Sequence, residues 1–315
     1  MQRRKQKGRA IDGWLVVDKP AGMTSTHVVS EVKRITDARK VGHGGTLDPL
    51  ATGILPIALG EATKTVPYVM DAAKAYEFTL RLGEARDTDD AEGAVIATSD
   101  ERPSDQAIRG ALQHFVGVIE QVPPRFAAVK VQGERAYDIA RRGEVVELAP
   151  REIRIDQLEL VGRGDADHVA LRMRCGKGAY VRALARDLGR ALGCHAHVAA
   201  LRRTAVGAFN DSNAISLEAL ARIVADDTLP QILVPLTTAL AGIPALAVTE
   251  PQALRLRAGQ PIRITPALLG EEAGRSATVR AMRAGELIAL ARLEGSELSP
   301  TRVFHHGPMP IGNRE

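Results

Sequence analysis

The chain has 315 residues, of which 45% are hydrophobic, 25% are charged and only ten are aromatic (five Phe, four Tyr, one Trp). This composition excludes a disordered chain, a collagen-like fibre and a small disulfide scaffold. The length suffices for one large hydrophobic core, or for a larger and a smaller one. The formal net charge of +4 is too small to point to a polyanionic partner.

The distribution of charge says more than its sum. Residues 1–40 hold ten basic and four acidic side chains, and residues 172–203 hold eight basic and one acidic. These two segments therefore carry +6 and +7, whereas the rest of the chain carries −9. Such segregation favours a partner with a phosphate backbone.

The sequence also indicates a compartment. Cys175 and Cys194 fit no disulfide framework, CxxC motif or zinc-finger spacing, so both are expected in the core. Residues 1–10 form a basic arm without the apolar region of a signal peptide, and no apolar run reaches about 18 residues. We therefore expect no membrane span and a reducing cytoplasm.

The first half of the chain shows clear helix and strand patterns. They predict a strand over 14–17, a turn over 18–22, a helix capped by Thr24 or Ser25, a structured glycine-rich loop over 41–53, a strand over 76–82, and a helix starting at Pro103-Ser104. Residues 122–150 lack a long apolar face, so we expect an exposed excursion there.

The second half adds helices and then short strands. The patterns predict a strand over 169–175, a helix after 176–178, a helix capped by Ser216, a proline-punctuated connection over 235–251, and strands over 261–265, 277–282 and 287–291. The predicted fold class is α+β with a small C-terminal β module.

The glycine-rich loop at 41–50 is the first candidate for chemistry. It lacks the Gly-Lys-Ser/Thr ending of a P-loop, and Leu47 stands where a Rossmann fingerprint needs a third glycine. What remains is a loop whose glycines let the backbone approach a ligand closely, presenting His43 and, five residues on, Asp48 before Pro49. An aspartate before proline is by itself typical of a turn or cap.

Metal and acyl-transfer motifs are weaker. Residues 87–93 are rich in carboxylates, but Ala91 and a displaced glycine favour an acidic turn over a calcium loop. His195 and His197 lack ligand partners at metal spacing and are expected to be structural. The sequence predicts no metal site, and it contains no G-x-S-x-G.

Five segments in order resemble the motifs of the TruB-type tRNA pseudouridine synthases. They are the loop at 42–53, the segment 18–25 (DKPAGMTS), the strand beginning Tyr-Glu-Phe at 76–78, the segment 177–182 (KGAYVR), and the segment 197–203 (HVAALRR). The match runs from about residue 11 to residue 209. One motif alone would be weak evidence, but five in the family's order are specific.

The resemblance implies the fold of pseudouridine synthases, with a central mixed, largely antiparallel sheet flanked by helices. It implies isomerisation of uridine 55 in the T stem-loop of tRNA to pseudouridine, by base flipping and an aspartate-dependent exchange of the C–N glycosidic bond for a C–C bond. No metal or cofactor is implied. The implied partner is tRNA, bound by a monomer without an obligatory protein partner.

The resemblance also implies roles for eight residues. Asp48 would be the catalytic carboxylate, paired with Arg182, and Tyr76 would stack on the flipped uracil and assist removal of its C5 proton. The remaining positions would bind or support the substrate: His43 in the space left by the flipped nucleotide, Tyr180 and Leu201 lining the pocket, and Lys19 and Pro20 buttressing the loop. From the residues alone, Tyr76 fits a core position about as well as a site, and Leu201 would ordinarily be assigned to the core.

The implied organisation is a basic disordered arm at 1–10, a catalytic domain at 11–244 with an RNA-gripping insertion at about 122–150, and a PUA-like module at 245–315. One departure is Gly44, where the family commonly has a polar residue. Two other functions stay open: a tRNA-binding or tRNA-folding protein with incidental catalysis, and the catalytic subunit of a guide-RNA complex.

Overall fold

The computed structural model describes residues 8–127, 129–131, 134–135, 139, 142, 144, 148–264 and 277–305. Its strands are β1 (Gly13–Lys19), β2 (Val41–His43), β3 (Thr52–Leu59), β4 (Lys74–Leu82), β5 (Glu84–Arg86), β6 (Val95–Thr98), β7 (Gly117–Gln121), β8 (Lys130–Val131), β9 (Glu134–Arg135), β10 (Arg151–Arg163), β11 (His168–Cys175), β12 (Ala196–Val206), β13 (Phe209–Asn210), β14 (Ala214–Ile215), β15 (Ala245–Ala247), β16 (Ile262–Arg263), β17 (Ala277–Arg283), β18 (Glu286–Glu294) and β19 (Glu297–Val303). Its helices are α1 (Ser25–Thr36), α2 (Val66–Asp71), α3 (Asp105–Leu112), α4 (Val181–Ala191), α5 (Leu217–Ala225) and α6 (Glu250–Arg257).

A ten-stranded mixed sheet forms the main framework. Its order is β14-β1-β3-β12-β4-β11-β10-β7, with β2 paired to β3 and β13 paired to β12. The pairs β1–β14 and β3–β12 are parallel, and the other pairs are antiparallel. This is the mixed, largely antiparallel sheet that the sequence resemblance implied.

Two helical groups cover this sheet. Helices α3 and α4 pack on β4, β10, β11 and β12 in the largest core cluster. In α4 the buried Val181, Leu184, Ala185 and Leu188 recur at helical spacing, which explains why this segment folds as an amphipathic helix. Helices α1 and α5 contribute to a second cluster with β1 and β3. The loop between β2 and β3 joins these parts of the core, since Leu47 belongs to the largest cluster.

The C-terminal module has its own sheet and core. Its five strands run in the order β15-β17-β18-β19-β16, and α6 packs among them. Leu287, Leu290 and Phe304 of this module share another core cluster with Trp14 and Ile54. The predicted C-terminal β module is therefore confirmed, and apolar packing joins it to the main sheet.

Predicted caps and strands agree with the structure. The side chains of Thr24, Ser104 and Ser216 accept the N-cap hydrogen bonds of α1, α3 and α5. The predicted strands at 76–82 and 169–175 lie within β4 and β11. Cys175 and Cys194 are buried and unpaired, as expected.

The strands missed from the sequence are central. β10 and β12 were not predicted, although β12 pairs with both β3 and β4. The loop predicted at 41–53 is shorter than expected, because its ends form β2 and the start of β3. The loop that connects β2 to β3 therefore runs only from residue 44 to residue 51.

Two predicted regions are described in part. Within 122–150, β8 and β9 form a short antiparallel hairpin, and the remaining gaps fall outside the described residues. Residues 1–7 of the predicted arm also fall outside them, but Arg9 pairs with Ala38. Over the described part of the chain, none of the helices has the length and apolar character required to cross a membrane.

Candidate active site

The loop between β2 and β3 is held rigidly at both ends. The hydroxyl of Ser25, in the first turn of α1, donates to the Leu47 carbonyl (3.0 Å) and accepts from the Leu47 N–H (2.9 Å). The Gly44 N–H donates to the Pro56 carbonyl (2.8 Å), and the Ala51 N–H donates to the Asp48 carbonyl (3.1 Å). These bonds fix the backbone on either side of Asp48.

Asp48 forms a two-pronged ion pair with Arg182. Arg182 Nε donates to Asp48 Oδ2 at 2.8 Å, and Nη2 donates to Oδ1 at 3.1 Å. The Arg182 side chain is 6% exposed and that of Asp48 is 32% exposed. A guanidinium fork presented to both carboxylate oxygens fixes the plane of the carboxylate.

Arg182 has three further partners besides Asp48. Its Nη1 donates to the Thr88 carbonyl (3.2 Å), its Nη2 also donates to the Phe126 carbonyl (3.0 Å), and Asp90 Oδ2 lies 3.6 Å from its Nε. Burial by itself would lower the pKa of Arg182, but the carboxylates of Asp48 and Asp90 outweigh it and raise that pKa. Arg182 thus stays a cation in a largely dry environment.

Asp90 is a site neighbour that the sequence did not reveal. It lies in the acidic turn at 87–93 and is 4% exposed. Its Oδ1 accepts hydrogen bonds from the Thr88 hydroxyl (2.6 Å) and the Glu92 N–H (3.1 Å). The described residues contain no group of three His, Cys, Asp or Glu side chains placed to hold a metal ion.

Tyr76 lies on β4 beside this ion pair. It is 9% exposed, and its cross-strand neighbours are Met173 on β11 and Arg203 on β12. Burial raises the pKa of the Tyr76 hydroxyl, whereas the charge of Arg203 and a hydrogen bond from it act in the opposite direction. The phenol is therefore neutral near neutral pH and belongs both to the core cluster and to the site.

Tyr180 and Leu201 lie close to the same centre. Tyr180 precedes α4, and Gln121 clamps its backbone by accepting from its N–H (2.9 Å) and donating to its carbonyl (3.2 Å). Burial, followed by the charge of Asp48, raises the pKa of the Tyr180 hydroxyl. Leu201 is 7% exposed and faces Phe78 on β4 in the core cluster that includes Tyr76.

An open cleft of about 490 Å³ lies next to this centre. Leu50 and Leu201 line it, together with Glu77 and Arg172, whose side chains alternate with the core residues of their strands. Asp48, Tyr76 and Arg182 are not part of its lining. The cleft therefore lies beside the ion pair without including it.

Three other predicted residues touch the loop or its supports. His43 ends β2, and its Nδ1 accepts the Gly45 N–H at 3.3 Å. Lys19 is buried and donates from Nζ to the carbonyls of Pro20 (2.8 Å), Met23 (2.8 Å) and Pro49 (3.1 Å). Burial lowers the pKa of Lys19 to about 8, although Asp48 opposes this shift. Lys19 thus joins the turn after β1 to the residue that follows Asp48.

The two histidines considered for metal binding lie at the start of β12. His197 is buried on β12, and its Nδ1 lies 3.1 Å from the Glu84 carbonyl. Burial lowers its pKa, so the imidazole is neutral. His195 lies in the turn before β12 with a left-handed backbone (φ 52°).

Two family models match this chain over most of the main sheet. Residues 33–181 match the TruB family pseudouridylate synthase N-terminal domain, and residues 182–241 match the tRNA pseudouridylate synthase B C-terminal domain. The chain belongs to the TruB family of pseudouridine synthases. The Asp48–Arg182 pair spans the two matched regions.

Curated relatives in this family cover nearly the full chain. A protein named tRNA pseudouridine synthase B from Gluconacetobacter diazotrophicus is 56% identical over 310 residues, which is 96% of this chain and 100% of the relative. One of the same name from Dinoroseobacter shibae is 54% identical over 308 residues, covering 97% and 99% of the two chains. Among solved structures, a chain from a Cbf5-Nop10-Gar1 complex superposes with a TM-score of 0.72 at 26% identity, covering 93% of this chain and 85% of that one.

The structure explains the departure at Gly44 from the family's common polar residue. A Cβ atom at Gly44 would lie 2.6 Å from Val69 Cγ1 and 3.3 Å from Trp14 Cζ3. Val69 and Trp14 are buried in the core cluster that joins the two sheets. In this member of the TruB family, the Val69 methyl fills the volume that a side chain at residue 44 would need.

Arg203 was also missed as a site residue. The sequence shows only two adjacent arginines, Arg202 and Arg203, within a segment that resembles a family motif. The two side chains lie on opposite faces of β12. Arg202 pairs with Asp18 and Asp211, whereas Arg203 is buried under the loop. Strand alternation could have separated the two, had β12 been recognised.

Proposed function

We propose that this protein isomerises uridine 55 in the T stem-loop of tRNA to pseudouridine. The observation that carries this proposal is the two-pronged ion pair of Asp48 and Arg182 in a loop held on both sides. Membership of the TruB family and the names of the tRNA-modifying relatives support the substrate.

The reaction exchanges one bond for another without a net change of atoms. The bond between ribose C1′ and uracil N1 breaks, a bond between C1′ and C5 forms, the C5 proton leaves and N1 gains a proton. Attack on C1′, attack on the uracil ring and removal of a ribose proton would all use an electron pair of the Asp48 carboxylate. The geometry leaves that carboxylate partly exposed, while its arginine partner is buried.

Binding must also extract the base from its stack, which costs a few kcal/mol. In the proposal, His43 fills the space that the uridine vacates, Tyr76 stacks on the uracil and assists loss of the C5 proton, and Tyr180 and Leu201 line the pocket. Lys19 supports this arrangement through the Pro49 carbonyl, and Pro20 supports it through its position in the same turn. No step in this scheme needs a cofactor.

The regions around the site supply the grip on RNA in this proposal. The first residues of the insertion at 122–150 contact the site. The Phe126 carbonyl accepts a hydrogen bond from Arg182, and the Val122 carbonyl accepts one from Arg186. The module at 245–315 serves as a PUA-like RNA-binding module. We further propose that the protein works as a monomer in the cytoplasm, without a guide RNA.

The test uses an unmodified tRNA transcript tritiated at uracil C5, with purified protein as the only macromolecular addition. We expect tritium release, and we expect none from a transcript in which uridine 55 is replaced by cytidine. Release that persists from the cytidine transcript would place the reaction at another uridine. Release that requires an added guide RNA would instead favour the guide-RNA complex, and tRNA binding without release would favour a tRNA-folding protein.

A further inference from the structure

Arg203 lies beneath the catalytic loop and bonds to both of its flanks. It is 1% exposed. Its Nη2 donates to the Gly45 carbonyl (3.1 Å) and its Nη1 to the Thr46 carbonyl (3.0 Å), both on the N-terminal side of Asp48. Its Nε donates to the Ile54 carbonyl (2.8 Å), on the C-terminal side. One rigid guanidinium therefore sets the distance between the two ends of the loop.

The partners of this guanidinium are unusual for a buried charge. Buried arginines are ordinarily paired with a carboxylate, because an uncompensated charge is costly to remove from water. Within the part of the chain that the structure describes, Arg203 forms no ion pair, and its acceptors in the loop are backbone carbonyls. Arg202, the preceding residue, follows the ordinary pattern with Asp18 Oδ1 at 3.0 Å and Oδ2 at 3.1 Å.

Arg203 also lies opposite Tyr76 in the sheet. It is the cross-strand partner of Tyr76, and its charge opposes the rise that burial causes in the pKa of the Tyr76 hydroxyl. On its other side, β12 lies close to β3 because Gly53, opposite Arg203 on β3, carries no Cβ. A Cβ there would lie 2.2 Å from the Arg203 carbonyl oxygen. Arg203 thus bonds to the loop that carries Asp48 and lies opposite the tyrosine proposed to stack on uracil.

We propose that Arg203 is a positioning residue that fixes the loop around Asp48 in one geometry relative to Tyr76 without contacting the RNA. This inference rests on the proposed function, because it assigns Arg203 a part in the same reaction. The guanidinium reaches the Gly45, Thr46 and Ile54 carbonyls from three separate nitrogens in a rigid plane, and a lysine offers only one nitrogen on a flexible stem.

The kinetic test compares Arg203→Met and Arg203→Lys with the matched variants Arg202→Met and Arg202→Lys. Single-turnover tritium release and tRNA affinity are measured for each. We expect Arg203→Met to bind tRNA as the wild type does and to react about 100-fold more slowly, because misplacing a reacting group by about 1 Å has an effect of that size. Arg203→Lys should recover part of the rate, and both Arg202 variants, with tRNA at saturation, should react faster than either Arg203 variant. A wild-type rate in a folded Arg203→Met variant overturns the proposal, and so does a loss of tRNA binding as large as the loss of rate.

A second readout does not depend on activity. The single tryptophan, Trp14, is buried against Gly44, the neighbour of Gly45. If Arg203 holds the loop, acrylamide should quench Trp14 emission more strongly in Arg203→Lys than in Arg202→Lys, at a temperature where both are folded by circular dichroism. Equal quenching would overturn the positioning role even if the wild-type protein proved inactive on tRNA. Failure of the wild-type reaction together with stronger quenching would instead reject only the proposed function.

Discussion

Adding a side chain at Gly44 should destabilise the protein and slow its reaction. The ideal Cβ of residue 44 would lie 2.6 Å from Val69 Cγ1, whereas carbon atoms in contact prefer about 3.5–4.0 Å. Val69 is 2% exposed and Trp14 is fully buried, so neither can move into solvent. Gly44→Ser must therefore displace either the Val69 side chain or the loop by about 1 Å.

The size of the effect follows from this displacement. Overpacking a dense core by one group costs about 1–3 kcal/mol. If the loop yields instead of Val69, Asp48 moves with it, and a shift of about 1 Å can slow a reaction about 100-fold. Val69→Ala alone should cost about 2 kcal/mol by removing buried methyl groups. In the double variant the serine fits the vacated space, so the two changes should compensate each other by about 1–3 kcal/mol.

The assay is chemical denaturation of the wild type, Gly44→Ser, Val69→Ala, the double variant and one control, with single-turnover tritium release measured on the same samples. The matched control is Gly42→Ser, because the nearest atom to a Cβ at residue 42 is Thr63 Cγ2 at 4.0 Å. We expect this control to differ from the wild type by less than about 0.5 kcal/mol. The reasoning is refuted if Gly44→Ser is as stable and as active as Gly42→Ser, or if Val69→Ala does not improve the Gly44→Ser protein.

Three further predictions concern charge. Arg182→Lys should slow turnover at least tenfold without abolishing folding, because a lysine loses at least one charged hydrogen bond worth about 1.5–3 kcal/mol. A rate close to that of an Arg190→Lys control would contradict the pairing. Burial raises the pKa of Asp89 from 3.8 to about 6, so between these pH values the folded protein holds a proton that the unfolded chain has lost. The free energy of unfolding should therefore fall as pH rises from about 4 to about 6. Asp89→Asn should remove that part of the slope in urea titrations, and an unchanged slope would show that another group causes it. Binding of tRNA should weaken steeply with salt in filter-binding assays, whereas a flat response would contradict a phosphate-binding surface.

Local patterns predicted those parts of the fold that depend on local physics. The caps at Thr24, Ser104 and Ser216 were recognisable because a short polar side chain before an apolar helical face satisfies free backbone N–H groups. The strand at 76–82 was recognisable because one of its faces is buried and the other is not. β12 was missed since Leu201 and Val206 are buried but Ala199 and Ala200 interrupt the alternation, and the register shifts between Val198 and Ala200.

The residues of the candidate site were predicted from the family resemblance and not from local sequence patterns. The motifs supplied Asp48 and Arg182, which are 134 residues apart in the chain, and the structure brings them within 2.8 Å. Periodicity could not have paired them, because the contact depends on how α4 packs against the loop. Asp90 and Arg203 were missed because their partners are backbone atoms or side chains that only the tertiary fold places nearby.

We propose that the Asp48 carboxylate performs the chemistry and that other residues bind the tRNA. The Asp48→Asn variant tests this assignment, because the amide has nearly the same size as the carboxylate but carries no charge. With a transcript tritiated at uracil C5, we expect wild-type tRNA affinity and no tritium release above background. Release at a rate close to the wild type would contradict it, and so would loss of tRNA binding together with loss of the folded state.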